Sequence, residues 1–222
     1  MSYGLVFALK AFVVNAYVVP TNSNAPTIIG WHRVAKCPHC QGHLIVPGRD
    51  PMEPLFPGAP DIVEELSICA TCRKPSKFRP ERSPQLGPDR ILVSLLAKPA
   101  RWDIIAFRYP PDPSRIYVAR LVGLPGEKVH IKNGGIWIDG VRVEPPSELA
   151  RLEYLPVTHE FGGPNLGTEE NPFQLGASEC CVLGDFPERS SDSRDWGPVP
   201  VENIEGVVCV TYWPVGRLRI FK

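Results

Sequence analysis

Residues 115–143 read RIYVARLVGLPGEKVHIKNGGIWIDGVRV, and this stretch decides the architecture. RIYVARLVG is β-branched and aromatic, LPGE interrupts it, and KVHIK and GIWI follow on either side of Asn133-Gly134-Gly135. An Asn-Gly pair between apolar runs signals a hairpin, because the central residues of a tight turn need positive φ. Asp139-Gly140 supplies a second turn before VRV. Consecutive strands on turns this short predict an antiparallel sheet.

The pattern extends outward. RILVSLLA and DIIAFRYP precede this stretch, and ECCVLGD, EGVVCVTYWPV and RLRIFK follow it. SELARLEYL, residues 147–155, is the best candidate for a short helix. The expected fold is mainly β, an antiparallel and partly closed sheet. Composition agrees: 26 Pro and 19 Gly in 222 residues exclude a helical bundle, and 43% hydrophobic content excludes a disordered chain.

Net charge is zero, from 24 basic and 24 acidic residues, so no overall positive field marks a nucleic-acid binder. The balance is uneven along the chain. No acid precedes Asp50, whereas Lys10, Arg33, Lys36 and Arg49 are basic, and Glu127–Glu205 carries 15 acids against 6 bases. A basic, acid-free end beside the apolar run Tyr3–Val19 suits an anionic membrane surface. That run is interrupted by Lys10 and Asn15, too short for a complete span, and lacks the charged start and cleavage site of a signal peptide. Residues 1–9 read as the stub of a membrane helix, and AFVVNAYVVP reads as a strand ending at Pro20.

Cys37, Cys40, Cys69 and Cys72 form C-x2-C-x28-C-x2-C. Two C-x2-C turns can present four thiolates to one tetrahedral ion, so the set predicts a structural zinc ribbon with a closed coordination shell. His39 and His43 lie close enough to replace one cysteine, and two disulfides are the competing arrangement; the paired spacing favours metal. The ribbon reads as an insert over 36–77 between a first part of a β domain, 10–35, and its remainder, 78–222. Cys180, Cys181 and Cys209 lie in apolar strand patterns and read as buried thiols.

RWDIIAF, YVARLVGLPGEKV and LGDFPERSSDSRDWGPVP, in that order, together with AFVVNAYVVPTNSNAPTIIG upstream, resemble the sequence boxes of type I signal peptidases. The resemblance covers about half the chain, and a four-cysteine insert after the serine box departs from it. It implies a serine endopeptidase with a Ser/Lys dyad at the cytoplasmic membrane, cutting leader peptides with small side chains at −1 and −3 and using no catalytic cofactor. Ser23 matches the nucleophile, whose attack on a peptide carbonyl creates an oxyanion. Thr21 matches the second oxyanion donor, beside the backbone N–H of Ser23, and Ser190 matches the serine that orients the base. Asp192 and Arg194 match a bracing pair, Gly184 and Asp185 keep the start of their box, and Arg120 is expected to pair with a carboxylate.

Two motif positions depart. Asn24 stands where the family has methionine, and Ala119 stands where the family has the lysine that takes the serine proton. Alanine cannot accept a proton. Lys98, Lys128, Lys132, His32 and His130 occupy no matching position. Three functions follow: a leader peptidase using a substitute base; an inactive relative binding signal peptides, other extended peptides or a partner; or a nucleic-acid module built on the ribbon and Arg73, Lys74, Lys77, Arg79 and Arg82. The last ranks lowest, because no aromatic residues interleave that cluster.

Overall fold

The structure is a computed structural model describing residues 13–52, 64–79, 83–155 and 166–221. The helix stub expected over 1–9 and Arg82 lie outside the described residues. Among the described residues no helix is long and apolar enough to cross a membrane.

Along the chain, β1 (Val14–Val18) precedes four short strands, β2 (His32–Lys36), β3 (His43–Pro47), β4 (Glu65–Cys69) and β5 (Pro75–Phe78). β6 (Arg90–Ser94), β7 (Ile104–Tyr109) and β8 (Asp112–Gly123) follow. Beyond β8 the stretch to Val143 continues as β9 (Lys128–Lys132), β10 (Gly135–Ile138) and β11 (Val141–Val143). β12 (Phe173–Gln174) and β13 (Glu179–Leu183) lead to a single helical turn, α1 (Ser193–Trp196). β14 (Val199–Pro200), β15 (Ile204–Trp213) and β16 (Arg219–Ile220) come last.

These strands form three antiparallel sheets. The largest runs β1-β6-β15-β7-β8-β13-β14, with β16 beside β15; the others run β11-β10-β9-β12 and β2-β3-β4-β5. The hairpin turns fall where expected, with Asn133 and Gly134 at φ 50° and 75° and Asp139 and Gly140 at 50° and 83°. Partial closure does not occur. β1 and β14 end the large sheet unpaired with each other, so the sheet is open. The cause is visible in β8: its outer half, up to Arg120, pairs with β7, but β13 joins only at Arg120–Gly123. Residues 115–119 therefore keep an edge unpaired among the described residues, and it faces the segment running from Tyr17 to Asn24.

SELARLEYL forms only one 3-10 turn, Ser147–Leu149. Leu149, Leu152 and Tyr154 all enter the core over β9 and β10, at spacings no single helix face supplies, and Tyr154 N donates to Gly134 O at 2.9 Å. Burial there outweighs helix propensity.

The sheet that carries the cysteines packs onto the rest of the molecule. In β3 the run Leu44-Ile45-Val46 is buried throughout, as expected of a strand covered on both faces. Leu44 and Val46 pack with Cys37 and Cys69, while Ile45 joins Ile68 against Ala25, Ile29 and Phe186. From β2 to β5 this sheet spans His32–Phe78.

The turn after β1 closes tightly at Gly30, where an added Cβ would stand 2.4 Å from the carbonyl oxygens of Pro20 and Thr21. These are backbone atoms and cannot rotate aside. Gly30→Ala is expected to lower Tm by roughly 3–10 °C, an overpacking cost read by thermal unfolding.

Candidate functional site

Ser23 sits on a turn tied at both ends. Asn22 Oδ1 accepts from Gly30 N at 3.0 Å, Asn22 Nδ2 donates to Trp31 O at 2.8 Å, and Trp31 N donates to Pro20 O at 3.0 Å. Inside the turn, Ala25 N donates to Asn22 O, and Thr27 N and Ile28 N both donate to Asn24 O. Ser23 O accepts from Phe186 N at 2.9 Å, which joins the turn to the chain after β13.

A groove of about 800 Å³ opens beside it. Thr21, Ser23 and Ala119 all line this groove, so three of the four expected catalytic positions meet. Ser190 does not line it. It lies buried behind Gly184, where an added Cβ would be 2.1 Å from Ser190 Oγ and 2.6 Å from Ser23 O. Gly184 is therefore the thin partition between the two serines.

Ala119 is 5% exposed, and Asn24 ties the turn to the residue before it, Nδ2 donating to Val118 O at 2.5 Å. Among the described residues that line the groove there is no lysine and no histidine. Its cations are Arg33, Arg49, Arg115 and Arg189, facing the carboxylates Asp50 and Glu65. Guanidinium does not deprotonate in proteins. Of the other bases, His32 is buried with Nδ1 2.9 Å from Gly30 O and Nε2 3.0 Å from Arg217 Nη1. His130 stacks on Trp137, and Lys132 pairs with Glu169 at 2.7 Å.

Two buried ion pairs stand behind the groove. Arg120 grips Asp185 with Nε–Oδ1 at 2.7 Å and Nη2–Oδ2 at 2.5 Å, and Thr27 Oγ1 donates to the same carboxylate. Burial alone would raise the Asp185 pKa, but the Arg120 guanidinium beside it holds the carboxyl below the usual carboxylate range. Arg194 grips Asp192 at 2.8 and 2.7 Å, and Asp192 also accepts from Gly184 N at 2.9 Å and caps α1. Arg120, Asp185, Asp192 and Arg194 are thus brought together as two buried pairs. Trp196 packs against Phe107 and Tyr109. Cys180 and Cys181 are buried thiols, Cys180 pushed up to about 12 by burial, and Cys209 is half-buried.

The four cysteine sulfurs lie within 4.8 Å of one another, with Cys37–Cys72 at 3.8 Å and Cys40–Cys69 at 3.5 Å. Tetrahedral zinc thiolates place sulfurs about 3.8 Å apart, and a disulfide about 2 Å, so the spacing fits an ion rather than two bridges. Thr71 N and Cys72 N both donate to Cys69 Sγ. Although burial opposes it, these N–H groups bring Cys69 down to about 7. His39 and His43 are not in the set, which can hold one metal ion.

Sequence reasoning missed Asn22, Thr27 and Arg73. Asn22 and Thr27 sit in the quoted serine box, but their bonds reach Gly30, Trp31 and Asp185. Arg73, counted among the basic cluster, turns inward instead.

A family model described as "Signal peptidase, peptidase S26" matches residues 1–213. Signal peptidase I of Leptolyngbya laminosa is 32% identical over 141 residues, 59% of this chain and 63% of the relative. Probable signal peptidase I-2 of Synechocystis sp. is 28% identical over 142 residues, 60% of this chain and 58% of the relative. The chain thus spans less than two thirds of these relatives. A crystal structure of a signal peptidase I from Enterococcus faecalis V583 shares 31% identity over 50% of this chain and 97% of that one, with a TM-score of 0.38.

Asp185→Asn leaves Arg120 charged, buried and unpaired, so it is expected to cost about 3–5 kcal/mol at pH 7 in urea unfolding. The sign with pH follows from the depressed Asp185 pKa. Its contribution is complete above the unfolded carboxylate value, about 3.9, and is lost as pH falls through the folded value. The Asn variant should therefore lose less stability than wild type below about pH 4.

Proposed function

We propose, from the premise that this chain belongs to the signal peptidase family, peptidase S26, that it binds the leader segments of exported proteins in the groove without cutting them. The observation that carries the reading is the groove lining. Ser23 and Thr21 face a cavity in which Ala119 holds the general-base position and the cations are arginines. Ser23 Oγ would need a proton acceptor to attack a carbonyl, and a general base is worth about 10²–10⁴-fold.

Binding needs no base. Residues 115–119 offer an edge with no strand partner on one side of the groove, Val118 O alone being held by Asn24, with residues 17–24 on the other. An extended peptide can add there as a strand, its backbone supplying affinity and alternate side chains supplying selectivity. The acid-free, basic amino-terminal part supports a place at an anionic membrane surface rather than on nucleic acid. In the same reading the four cysteines hold one structural zinc ion, and no cofactor serves the groove.

The peptidase reading keeps a specific point in its favour, since Ser23, Thr21 and Ala119 share one groove. One substitution separates the two. A leader peptide with Ala at −1 and −3 should bind wild type, as read by fluorescence anisotropy, and remain intact. Ala119→Lys should raise cleavage about 10²–10⁴-fold, and Ser23→Ala in that background should abolish the gain. Wild-type cleavage that disappears in Ser23→Ala would overturn the non-cleaving reading. For the metal, elemental analysis should find one zinc per chain, and Cys69→Ser should lose it.

A further inference from the structure

The cysteine sheet is not a pendant module. Its apolar face, Ile45, Leu66 and Ile68, packs on Ala25 and Ile29 of the serine turn and on Phe186. Polar links flank this contact: Glu65 with Arg189 at 2.6 Å, and Arg151 Nη1 donating to Thr71 O at 2.9 Å. Arg33, Pro47–Asp50 and Glu65 from the same sheet also wall the groove.

A polar connection between thiols and serine runs through Arg73, the residue after the last cysteine ligand. Its φ of 57° and the bond from Arg73 N to Cys69 O at 3.0 Å complete the second knuckle. That left-handed turn sends the side chain inward, where Nη2 approaches Thr27 Oγ1 at 3.4 Å. Thr27 Oγ1 donates onward to Asp185, the carboxylate that grips Arg120 next to Ala119. Asp185 directly precedes Phe186, whose N–H holds Ser23 O. Arg73 Nη1 is buried without a partner among the described residues, so hydrogen bonding alone does not account for this guanidinium's burial; Asp185 adds its charge. What fixes the side chain there is the geometry of the Cys69–Cys72 knuckle behind it.

Within that sheet the thiols take a large share of the packing. Two of the four buried residues in the cluster under the thiols, Cys37, Leu44, Val46 and Cys69, are themselves ligands. In so small a unit, metal binding supplies much of the folding free energy. The geometry points to a coupling: metal held by Cys37, Cys40, Cys69 and Cys72 fixes Arg73 as a positioning residue, and through Thr27 it orders the turn that carries Ser23. The metal is then a support of the groove as well as of the insert. This inference rests on the metal reading of the thiols but not on peptide binding.

Hydrogen exchange on the full chain tests it, with metal content measured in parallel. Stripping the metal with a mercurial and a chelator should speed exchange at the amides of Ala25, Thr27, Ile28 and Phe186 at least tenfold. The amides of Ile131 and Ile136, in the β9–β10 hairpin, should stay protected. Arg73→Met should open the same turn amides with one metal per chain still bound, and stripping it should add little. Arg73→Lys, which keeps the charge, should recover part of the protection. Unchanged turn amides in stripped protein, or equal opening of Ile131 and Ile136, would overturn the coupling, as would failure to bind metal. If the coupling is found and metal-loaded protein binds no leader peptide, the peptide reading alone falls.

Discussion

The Arg120–Asp185 pair is the constraint on which the groove depends. Both partners are buried, so each lost its hydration on folding, and only saturation of their bonds offsets that loss. Saturation recruits distant parts of the chain. Asp185 takes two bonds from Arg120 and one from Thr27, while Arg120 Nη1 reaches Trp102 O. The neighbouring Asp192–Arg194 pair is satisfied in the same way by Gly184 N, Leu155 O and Pro187 O. Partly satisfied charge at this depth would be worse than none. Serine turn, β8 and the segment after β13 are therefore positioned together, and the groove is what they leave open between them.

The cysteine sheet extends that logic outward. One face of β3 serves the thiols and the other serves Ala25, Ile29 and Phe186. The chain leaves the serine turn at Gly30 and enters this sheet at His32. Its wall supplies two of the groove's four arginines, Arg33 and Arg49, and both carboxylates, Asp50 and Glu65.

Much of this was legible in the sequence, for identifiable reasons. Strand runs, the Asn-Gly and Asp-Gly turns and the paired C-x2-C knuckles are local signals, and the signal-peptidase boxes place Ser23, Ala119, Asp185 and Asp192 by their order. What escaped depends on partners far along the chain. Thr27 and Asp185 are 158 positions apart, and no periodicity announces that Thr27 has a buried acceptor. Arg73 read as part of a basic cluster suited to nucleic acid, because its inward course depends on the φ of one residue. The open sheet was equally hidden, since strand propensity says nothing about where β13 begins to pair with β8. SELARLEYL failed as a helix because its apolar residues answer to the hairpin beneath them.

Adjacent residues on a strand face opposite ways, and on β8 this puts Ala119 at the groove and Arg120 in the ion pair behind it. A lysine at residue 119 would bring an amine to a nearly enclosed position, at a cost in hydration that alanine does not incur. Residue 119 can therefore exchange reactivity for thermodynamic ease while residue 120 cannot change at all without loosening the scaffold. The two neighbours on β8 thus answer to different constraints, one to the groove and the other to the buried pair behind it.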